Sequence, residues 1–377
     1  MTTHVASVGV AGFGKRTEGL VDLAVEAAGP ALEGVGRKPI DLLVVGTMLA
    51  HGLRGPEPLL PRLAGRLGLE SASGFRVEAT SATGAMAFHV AVTSLETGRY
   101  SRALVVAAEK MTDRPTAEIT GELTAAIHPS EVAAGATMPG LAALVTQRYL
   151  ERHGLGPEVF DRVSVHARKM SADNPKAHFQ KEVTGEEVAT SRPVALPLRR
   201  LHCSAISDGA AAVVLERGSG PATVLGFGQG FESLRLVDRA DLTGFAATRI
   251  AARTAYEMAK TTRKELEVVE VHDAFAPLGI VHLEDIGVCG PGEGSSWFAN
   301  DWVGRDGRLP VNPGGGLLGR GHPVGASGLA GIAEVALQLR GEAGARAIAR
   351  LPKVGLAQSM SGLGSHSFVT ILGRMEA

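Results

Sequence analysis

Short runs of Val, Ile and Leu alternate with Ala-rich segments of helical length along most of this chain, and that alternation restricts the fold more than any other feature. Apolar strands separated by helices are typical of α/β proteins, in which helices cover both faces of a sheet. We predict strands near 5–10, 42–47, 74–79, 103–108, 222–228, 267–271, 354–359 and 366–372. Between them we predict helices over Leu20 to Leu32, Pro58 to Leu69, Ala82 to Leu95, Leu242 to Lys260, Phe275 to Ile286 and Ala326 to Arg340. The chain is therefore expected to have a layered α/β architecture.

One long segment interrupts this pattern. Residues 113–200 carry many charged and polar side chains and contain helices but no clear strand, so we interpret them as an inserted, largely helical loop domain. The strand pattern returns after Cys203 and restarts in full at Pro221, which suggests a duplication. We accordingly divide the chain into an N-terminal half, 1–235, which includes the insert, and a C-terminal half, 236–377.

The overall charge and the cysteine count exclude several classes of function. The 38 Lys and Arg residues nearly balance the 39 Asp and Glu residues, which leaves a net charge of −1. This balance gives no electrostatic reason to expect binding to nucleic acid or to a membrane surface. The only cysteines, Cys203 and Cys289, are too few for a disulfide framework or a Cys-rich zinc site, so no metal is expected. They fit a reducing compartment, and we expect a cytoplasmic protein.

The first candidate site residue is Ser81, at a predicted strand-to-helix turn. The helix that follows, from Ala82, is apolar on nearly every side and should be buried. A buried helix N-terminus offers unpaired N–H groups and about half a positive charge. Ser81 either caps this helix or is a nucleophile stabilised by it, and the residues alone favour the cap.

A glycine-rich segment supplies the second candidate. Six glycines lie within residues 312–325, and His322 stands just before a helix opened by Pro323. The Gly-Lys-Ser/Thr ending of a phosphate loop is absent. His322 is either a general base or a structural histidine in a tight turn, and the residues alone do not separate the two.

Two further segments have less specific patterns. His272 follows a predicted strand, and the neighbouring Asp273 could cap the next helix, which favours a structural role for the histidine. The segment from Gln358 to His366 contains Gly362 and lies between two apolar runs, so we interpret it as a hairpin turn.

Taken in order, these segments resemble the thiolase family, most closely its sterol-carrier-type and archaeal-type acetyl-CoA acyltransferases. The resemblance implies a five-layered α-β-α-β-α thiolase fold of two similar halves. It also implies a loop domain that helps bind coenzyme A and a homodimer built on the N-terminal half. The matching segments are Gly9 to Gly14, Val77 to Gly84, Glu109 to Asp113, Ala172 to Glu182, Ile206 to Val213, His272 to Phe275, Gly321 to Pro323 and Gly362 to Gly364.

The resemblance also implies a role for each candidate residue. Ser81 occupies the position of the family nucleophile, His322 would activate it, and His272 and His322 together would polarise the thioester carbonyl. The backbone N–H groups of Ser81 and Gly362 would form an oxyanion hole. Family members make or break a carbon–carbon bond next to a thioester through an acyl-enzyme. No permanently bound cofactor is implied, and a coenzyme A thioester is the expected substrate.

This sequence departs from the family at both sulfur positions. The family nucleophile is a cysteine, whereas the Ser81 hydroxyl must lose its proton during attack and forms an oxyester that is a poorer acyl donor. The second family cysteine corresponds to Met360 or Ala274, and neither side chain can transfer a proton. Ser361 is adjacent but off register. An engineered serine at position 81 is disfavoured, because it would not explain the second loss.

Three functions follow from this comparison. The first is an acyl-CoA-dependent acyltransferase of the thiolase type. The second is a thiolase-like aldolase subunit that works with an OB-fold, zinc-ribbon partner and needs no acyl-enzyme. The third is a catalytically silent homologue that binds acyl-CoA or lipid. Adduct formation on Ser81 separates the first from the other two.

Overall fold

The computed structural model describes residues 2–36, 38–49 and 58–375, and its centre is a nine-stranded sheet with helices on both faces. The strands are β1 (Thr3–Val10), β2 (Leu42–Gly46), β3 (Ser73–Val77), β4 (Arg102–Glu109), β5 (Pro193–Ala195), β6 (Leu198–Arg199), β7 (Gly209–Arg217), β8 (Thr223–Phe231), β9 (Val268–Glu270), β10 (Val354–Ser361) and β11 (His366–Gly373). The short strands β5 and β6 form a separate hairpin.

Thirteen α-helices connect these strands within the described residues. They are α1 (Leu20–Gly34), α2 (Leu59–Leu67), α3 (Thr83–Glu96), α4 (Thr116–Leu123), α5 (Pro129–Ala133), α6 (Met138–His153), α7 (Asp161–Ala172), α8 (Gly185–Thr190), α9 (Ala246–Ala259), α10 (Ala276–Asp285), α11 (Gly294–Ala299), α12 (Gly316–Arg320) and α13 (Val324–Arg340).

The strand order β3-β2-β4-β7-β1-β8-β11-β10-β9 contains the same pairing scheme twice. In each half the first strand pairs antiparallel with the last, as β1 does with β7 and β8 with β11. The last strand is antiparallel to the one before it, which is parallel to an earlier strand, as in β7-β4-β2 and β11-β10-β9. This repetition fits a duplicated chain.

A narrow junction joins the two half-sheets. In the described residues, β1 and β8 share a single paired position, His4 with Thr223, next to a 2.9 Å hydrogen bond from the Val5 N–H to the Ala222 carbonyl. Because β8 pairs with β11, the sheet changes halves before Thr223, ahead of residue 235. The domain boundary that we placed at residue 235 stays a prediction, because strand pairing alone does not divide the chain into domains.

Five layers result from the way the helices pack. Helices α1 and α2 cover the outer face of the first half-sheet, α9 and α10 cover that of the second, and α3 and α13 lie between the two. Successive residues of β2 show why the strands appear in the sequence as continuous apolar runs. Leu42 and Val44 face α3 and α13, whereas Leu43 and Val45 face α1, and all four are buried. The expected α-β-α-β-α arrangement is confirmed.

Two local predictions were wrong. The strand predicted to extend to residue 79 ends at Val77, because the chain enters a 3-10 turn at Thr80–Ala82. The insert also contains the β5–β6 hairpin, although no strand was predicted there. These strands have only three and two residues, too few for an alternating pattern to appear. No helix within the described ranges is both long and apolar enough to cross a membrane.

Candidate functional site

All four predicted site residues lie in the wall of one cavity of about 220 Å³. Ser81 comes from the turn before α3, His272 from the end of β9, His322 from the loop before α13, and Gly362 from the turn between β10 and β11. Met360 and Ala274, which correspond to the second family cysteine, line the same cavity. The structure therefore brings together residues that are far apart in the sequence, while their roles stay a prediction.

The turn that carries Ser81 has an unusual backbone. Thr80 has a φ of 43°, and a left-handed conformation costs a non-glycine residue roughly 1–2 kcal/mol. The Thr83 hydroxyl stabilises the turn: it donates to the Thr80 carbonyl over 2.6 Å and accepts from the Ala79 N–H over 2.8 Å. The Thr80 hydroxyl is also hydrogen-bonded to that of Ser361. Ser361, which is off register with the second family cysteine, thus links the turn to the end of β10.

Ser81 does not cap the following helix. Helix α3 begins at Thr83, its N-cap position is Ala82, and no side chain caps it. The capping interpretation favoured by the residues alone is therefore wrong. Ser81 lies within the 3-10 turn instead, and it lines the cavity.

His322 has a defined tautomer because of its partner, Ser327. The His322 Nδ1 atom lies 2.7 Å from the Ser327 Oγ atom, and the Ser327 hydroxyl donates to the Pro323 carbonyl over 2.9 Å. A hydroxyl has one proton to donate, so Ser327 must accept from Nδ1–H. The neutral ring then carries its free lone pair on Nε2, which can accept a proton.

His272 is fixed through its backbone. Its N–H donates to the Gln358 Oε1 atom over 2.9 Å. The preceding residue, Val271, donates its N–H to the Asn312 Oδ1 atom over 2.7 Å and accepts from the Asn312 Nδ2 atom over 3.2 Å. These contacts connect the end of β9 to β10 and to the glycine-rich segment.

Asp273 does not cap α10, as the sequence suggested it could. The N-cap residue of α10 is Phe275, and no side chain caps that helix. The Asp273 carboxylate instead accepts from the Leu317 N–H over 2.6 Å, near the start of α12. It therefore stabilises the loop that leads to His322.

The two imidazole rings are adjacent and perpendicular. Their centroids lie 5.2 Å apart with an interplanar angle of 89°. Burial, followed by the charge of Arg320, lowers the pKa of His322 to about 3. Burial, followed by the proximity of His322 and His282, lowers the pKa of His272 well below its ordinary value. Both rings are therefore neutral near pH 7, and each offers one donor and one acceptor nitrogen.

Gly362 lies in a tight turn, and the prediction of a hairpin between β10 and β11 is confirmed. Its φ is +55°, and a Cβ atom built there would lie 2.8 Å from the Ala126 carbonyl oxygen of the insert. The next carbonyl, that of Leu363, accepts a 2.7 Å hydrogen bond from the Arg239 guanidinium, which also donates to the Ser233 carbonyl. Arg239 therefore stabilises this turn from the β8–α9 connection.

Sequence reasoning missed Ser327, Gln358 and Arg239 as supports of the site. Ser327 lies in the first turn of the helix that follows His322, so a tautomer-fixing role could have been suspected from its spacing. Gln358 belongs to the segment interpreted only as a hairpin. Arg239 contacts a carbonyl 124 positions away, and no local pattern signals such a contact.

A second cavity of about 710 Å³ adjoins the first and shares the wall formed by residues 203–206. Its described lining contains no Asp or Glu. The Arg168 guanidinium lies 4.1 Å from the centre of the Phe179 ring, which stacks on His178 at 4.3 Å. These contacts hold Arg168 in the wall of a cavity that suits an anionic ligand. Its cationic lining residues are Lys15, Arg114, Arg168, Arg192 and Arg200.

In the part of the chain that the structure describes, no group of three His, Cys, Asp or Glu residues could hold a metal ion. Cys203 and Cys289 are both free thiols. Burial raises the pKa of each thiol to about 12, so neither is a thiolate at neutral pH.

Two similar half-sheets around a pair of central helices, with a two-histidine cavity where the halves meet, define one class of protein. Residues 6–219 match the family model for the thiolase N-terminal domain, and residues 228–374 match the one for the thiolase C-terminal domain. The chain belongs to the thiolase family, and the resemblance inferred from its motifs is confirmed.

Individual relatives agree with this assignment. Acetyl-CoA acetyltransferase of Methanothermobacter thermautotrophicus is 38% identical over 364 residues, which cover 94% of each chain. Sterol carrier protein 2 of Oryctolagus cuniculus is 30% identical over 329 residues, 81% of this chain and 59% of that protein. Among solved structures, the Ltp2-ChsH2(DUF35) aldolase superposes with a TM-score of 0.83 at 25% identity, covering 99% of this chain and 98% of that one. The thiolase fold is thereby confirmed.

Proposed function

We propose that this protein is a thiolase-type acyltransferase that acts on the thioester carbonyl of an acyl-CoA, making or breaking a carbon–carbon bond. One observation carries the proposal. Two neutral imidazoles, 5.2 Å apart and perpendicular, share a cavity wall with Ser81 and Gly362. A carbonyl group between them meets a nucleophile, a base and hydrogen-bond donors at once, as acyl transfer requires.

The residues support a stepwise acyl transfer. The Nε2 atom of His322 takes the hydroxyl proton of Ser81 as Oγ bonds to the carbonyl carbon. His272 donates an N–H toward the carbonyl, and the N–H groups of Ser81 and Gly362 receive the developing negative charge. The C–S bond then breaks, and the CoA sulfur takes the proton from His322. In the second half-reaction an acceptor attacks the oxyester carbonyl as its proton passes to the Nε2 atom of His322, which then returns a proton to the Ser81 Oγ atom as the ester C–O bond breaks.

The basic cavity supports a coenzyme A substrate. Its arginines and Lys15 match the phosphate groups of coenzyme A. The wall at residues 203–206 borders both cavities, so an extended thiol arm that follows it would reach Ser81. In this arrangement the loop domain helps to bind the coenzyme, as the family resemblance implies.

The edge of the sheet supports the expected homodimer. Within the described residues, β3 pairs with β2 alone, and Phe75 on this strand is 43% exposed. An unpaired edge strand with an exposed aromatic ring is a natural contact for a second copy. Phe75→Glu should shift the mass measured by light scattering from dimer to monomer, and a wild-type protein that is already monomeric would refute the dimer.

A second function, aldol-type cleavage, is favoured by a different observation. Met360 and Ala274 line the cavity and cannot exchange a proton, whereas cleavage without an acyl-enzyme needs only a base and a polarised carbonyl. A solved structure 25% identical to this chain is an aldolase whose name includes a DUF35 component. In the present protein this function would require an OB-fold, zinc-ribbon partner.

Intact-mass analysis after incubation with acyl-CoA separates the functions. An acyltransferase should gain the mass of one acyl group, and the Ser81→Ala variant should not. The matched control is Ser94→Ala within α3, which should still gain that mass. Cleavage of a 3-hydroxyacyl-CoA without an adduct would instead support the aldolase. Binding with neither reaction, even in the presence of a partner, would establish a silent homologue.

A further inference from the structure

The cavity beside Ser81 is lined mostly by apolar side chains. Among the lining residues that the structure describes, none is charged, and the polar ones are the proposed catalytic groups together with Thr120 and Ser204. Methionine is unbranched and polarisable, so it adapts to ligands of irregular shape. Four of the nine methionines in the sequence line this one cavity: Met48, Met111, Met138 and Met360.

The volume of the cavity exceeds what an acetyl group fills. An apolar cavity of about 150 Å³ is large enough to bind benzene, and one water occupies about 30 Å³ of liquid. The present cavity measures about 220 Å³. An acetyl group would therefore leave most of the apolar wall uncovered.

The insert supplies part of the cavity wall. Leu123 at the end of α4 and Met138 at the start of α6 both belong to it, as do Ala126 and Pro139. The Ala126 carbonyl also approaches the turn at Gly362. Because this wall comes from a different part of the chain, its side chains can set the space for the substrate without displacing the histidines.

We propose that this cavity selects apolar acyl groups of about six to eight carbon atoms, linear, branched or containing one ring, over acetyl. Met138 and Leu123 are its specificity-determining residues. The inference rests on the proposed function, because it assumes that the acyl group of a CoA thioester points into this cavity. It also disfavours acyl groups that end in a carboxylate, since the described part of the wall offers no cation to pair with them.

Binding affinities of an acyl-CoA series test the proposal without relying on turnover. The Ser81→Ala variant would be titrated by calorimetry with acetyl-, butyryl-, hexanoyl-, octanoyl-, decanoyl- and adipyl-CoA. Each buried methylene strengthens binding by up to about fourfold. The Kd should therefore fall at least about tenfold from acetyl to hexanoyl and level off after octanoyl. Adipyl-CoA, which has six carbons and a terminal carboxylate, should bind no better than acetyl-CoA.

Two substitutions at Met138 test the wall directly. Met138→Trp should weaken hexanoyl-CoA at least about tenfold and leave acetyl-CoA unchanged, whereas Met138→Ala should move the optimum toward longer chains. Leu144→Trp is the matched control, because it lies on the same helix and is 60% exposed outside the cavity. Thermal melting confirms that each variant is folded.

The outcomes separate this inference from the proposed function. Equal affinity for acetyl and hexanoyl thioesters, or an unchanged preference in both Met138 variants, would overturn the inference even if acetyl transfer occurs. The expected series in binding, with no adduct on wild-type Ser81 for any thioester, would refute the acyl-enzyme and leave the cavity assignment standing.

Discussion

The Nδ1 atom of His322 lies 2.7 Å from the Oγ atom of Ser327, five positions later in the chain. Because the serine proton is already donated to the Pro323 carbonyl, this contact forces the ring to donate from Nδ1. The remaining nitrogen is then the acceptor that a general base needs. A neighbouring hydroxyl thus has the orienting role that a carboxylate has in many histidine-dependent enzymes.

Ser327→Ala should therefore lower kcat by about 10- to 100-fold while KM changes little, because the ring can adopt the wrong tautomer. Ser327→Thr retains the hydroxyl and should recover most of the rate. Steady-state kinetics on both variants provide the measurement. A wild-type rate in the alanine variant would show that the tautomer is fixed by other contacts.

Ser81→Cys should accelerate acyl exchange between thiols by at least about tenfold, since a thiol ionises more readily than a hydroxyl and its thioester is a better acyl donor. Exchange of an acyl group between labelled CoA and pantetheine measures this step. Ser81→Ala should show no exchange. If the cysteine variant is no faster than the wild-type protein, the nucleophile does not limit the reaction.

Gly362→Ala should destabilise the protein by about 1–2 kcal/mol, because its φ is +55° and the new methyl would lie 2.8 Å from the Ala126 carbonyl. Movement of this turn should also reduce kcat by about 100-fold if its N–H stabilises an oxyanion. Gly185→Ala is the control, since an added Cβ there meets no atom within 4 Å. Urea unfolding and kinetics measure the two effects, and a fully active alanine variant would argue against the oxyanion hole.

Activity should remain nearly constant as the pH falls from 8 to 5. His322 has a pKa of about 3 in the folded protein, so it stays neutral and able to accept a proton throughout this interval. The folded protein itself should lose stability between pH 7 and 4. The reason is that its buried histidines, such as His89 with a pKa of about 3, bind protons only after unfolding.

The measurement is kcat/KM against pH, with circular dichroism at each point to confirm folding. A fall in kcat/KM with a midpoint near pH 6.5, while the protein remains folded, would mean that the essential base titrates like an exposed histidine.

The sequence predicted the layers well because strands buried on both faces are visible as apolar runs, as β2 illustrates. The family resemblance, rather than the local patterns, grouped Ser81, His272, His322 and Gly362, and all four line one cavity, while their roles stay a prediction. The interpretation of Ser81 as a cap was wrong because the left-handed Thr80 inserts a 3-10 turn before the helix.

Contacts between distant segments could not be predicted. Arg239 supports the turn at Gly362 only after the β8–α9 connection has packed on the end of β10. The size of the cavity beside Ser81 likewise depends on how the insert packs against the two halves. Neither relationship has a local sequence pattern, because each arises from tertiary packing.

The narrow junction between β1 and β8 has a consequence for how this protein loses activity. Ser81 comes from the first half of the chain, whereas His272 and His322 come from the second, so neither half alone has a complete set of the proposed reacting groups. A slight separation along the central helices would inactivate the enzyme while both halves kept their shape. Inactivation by heat should accordingly precede any loss of helical signal.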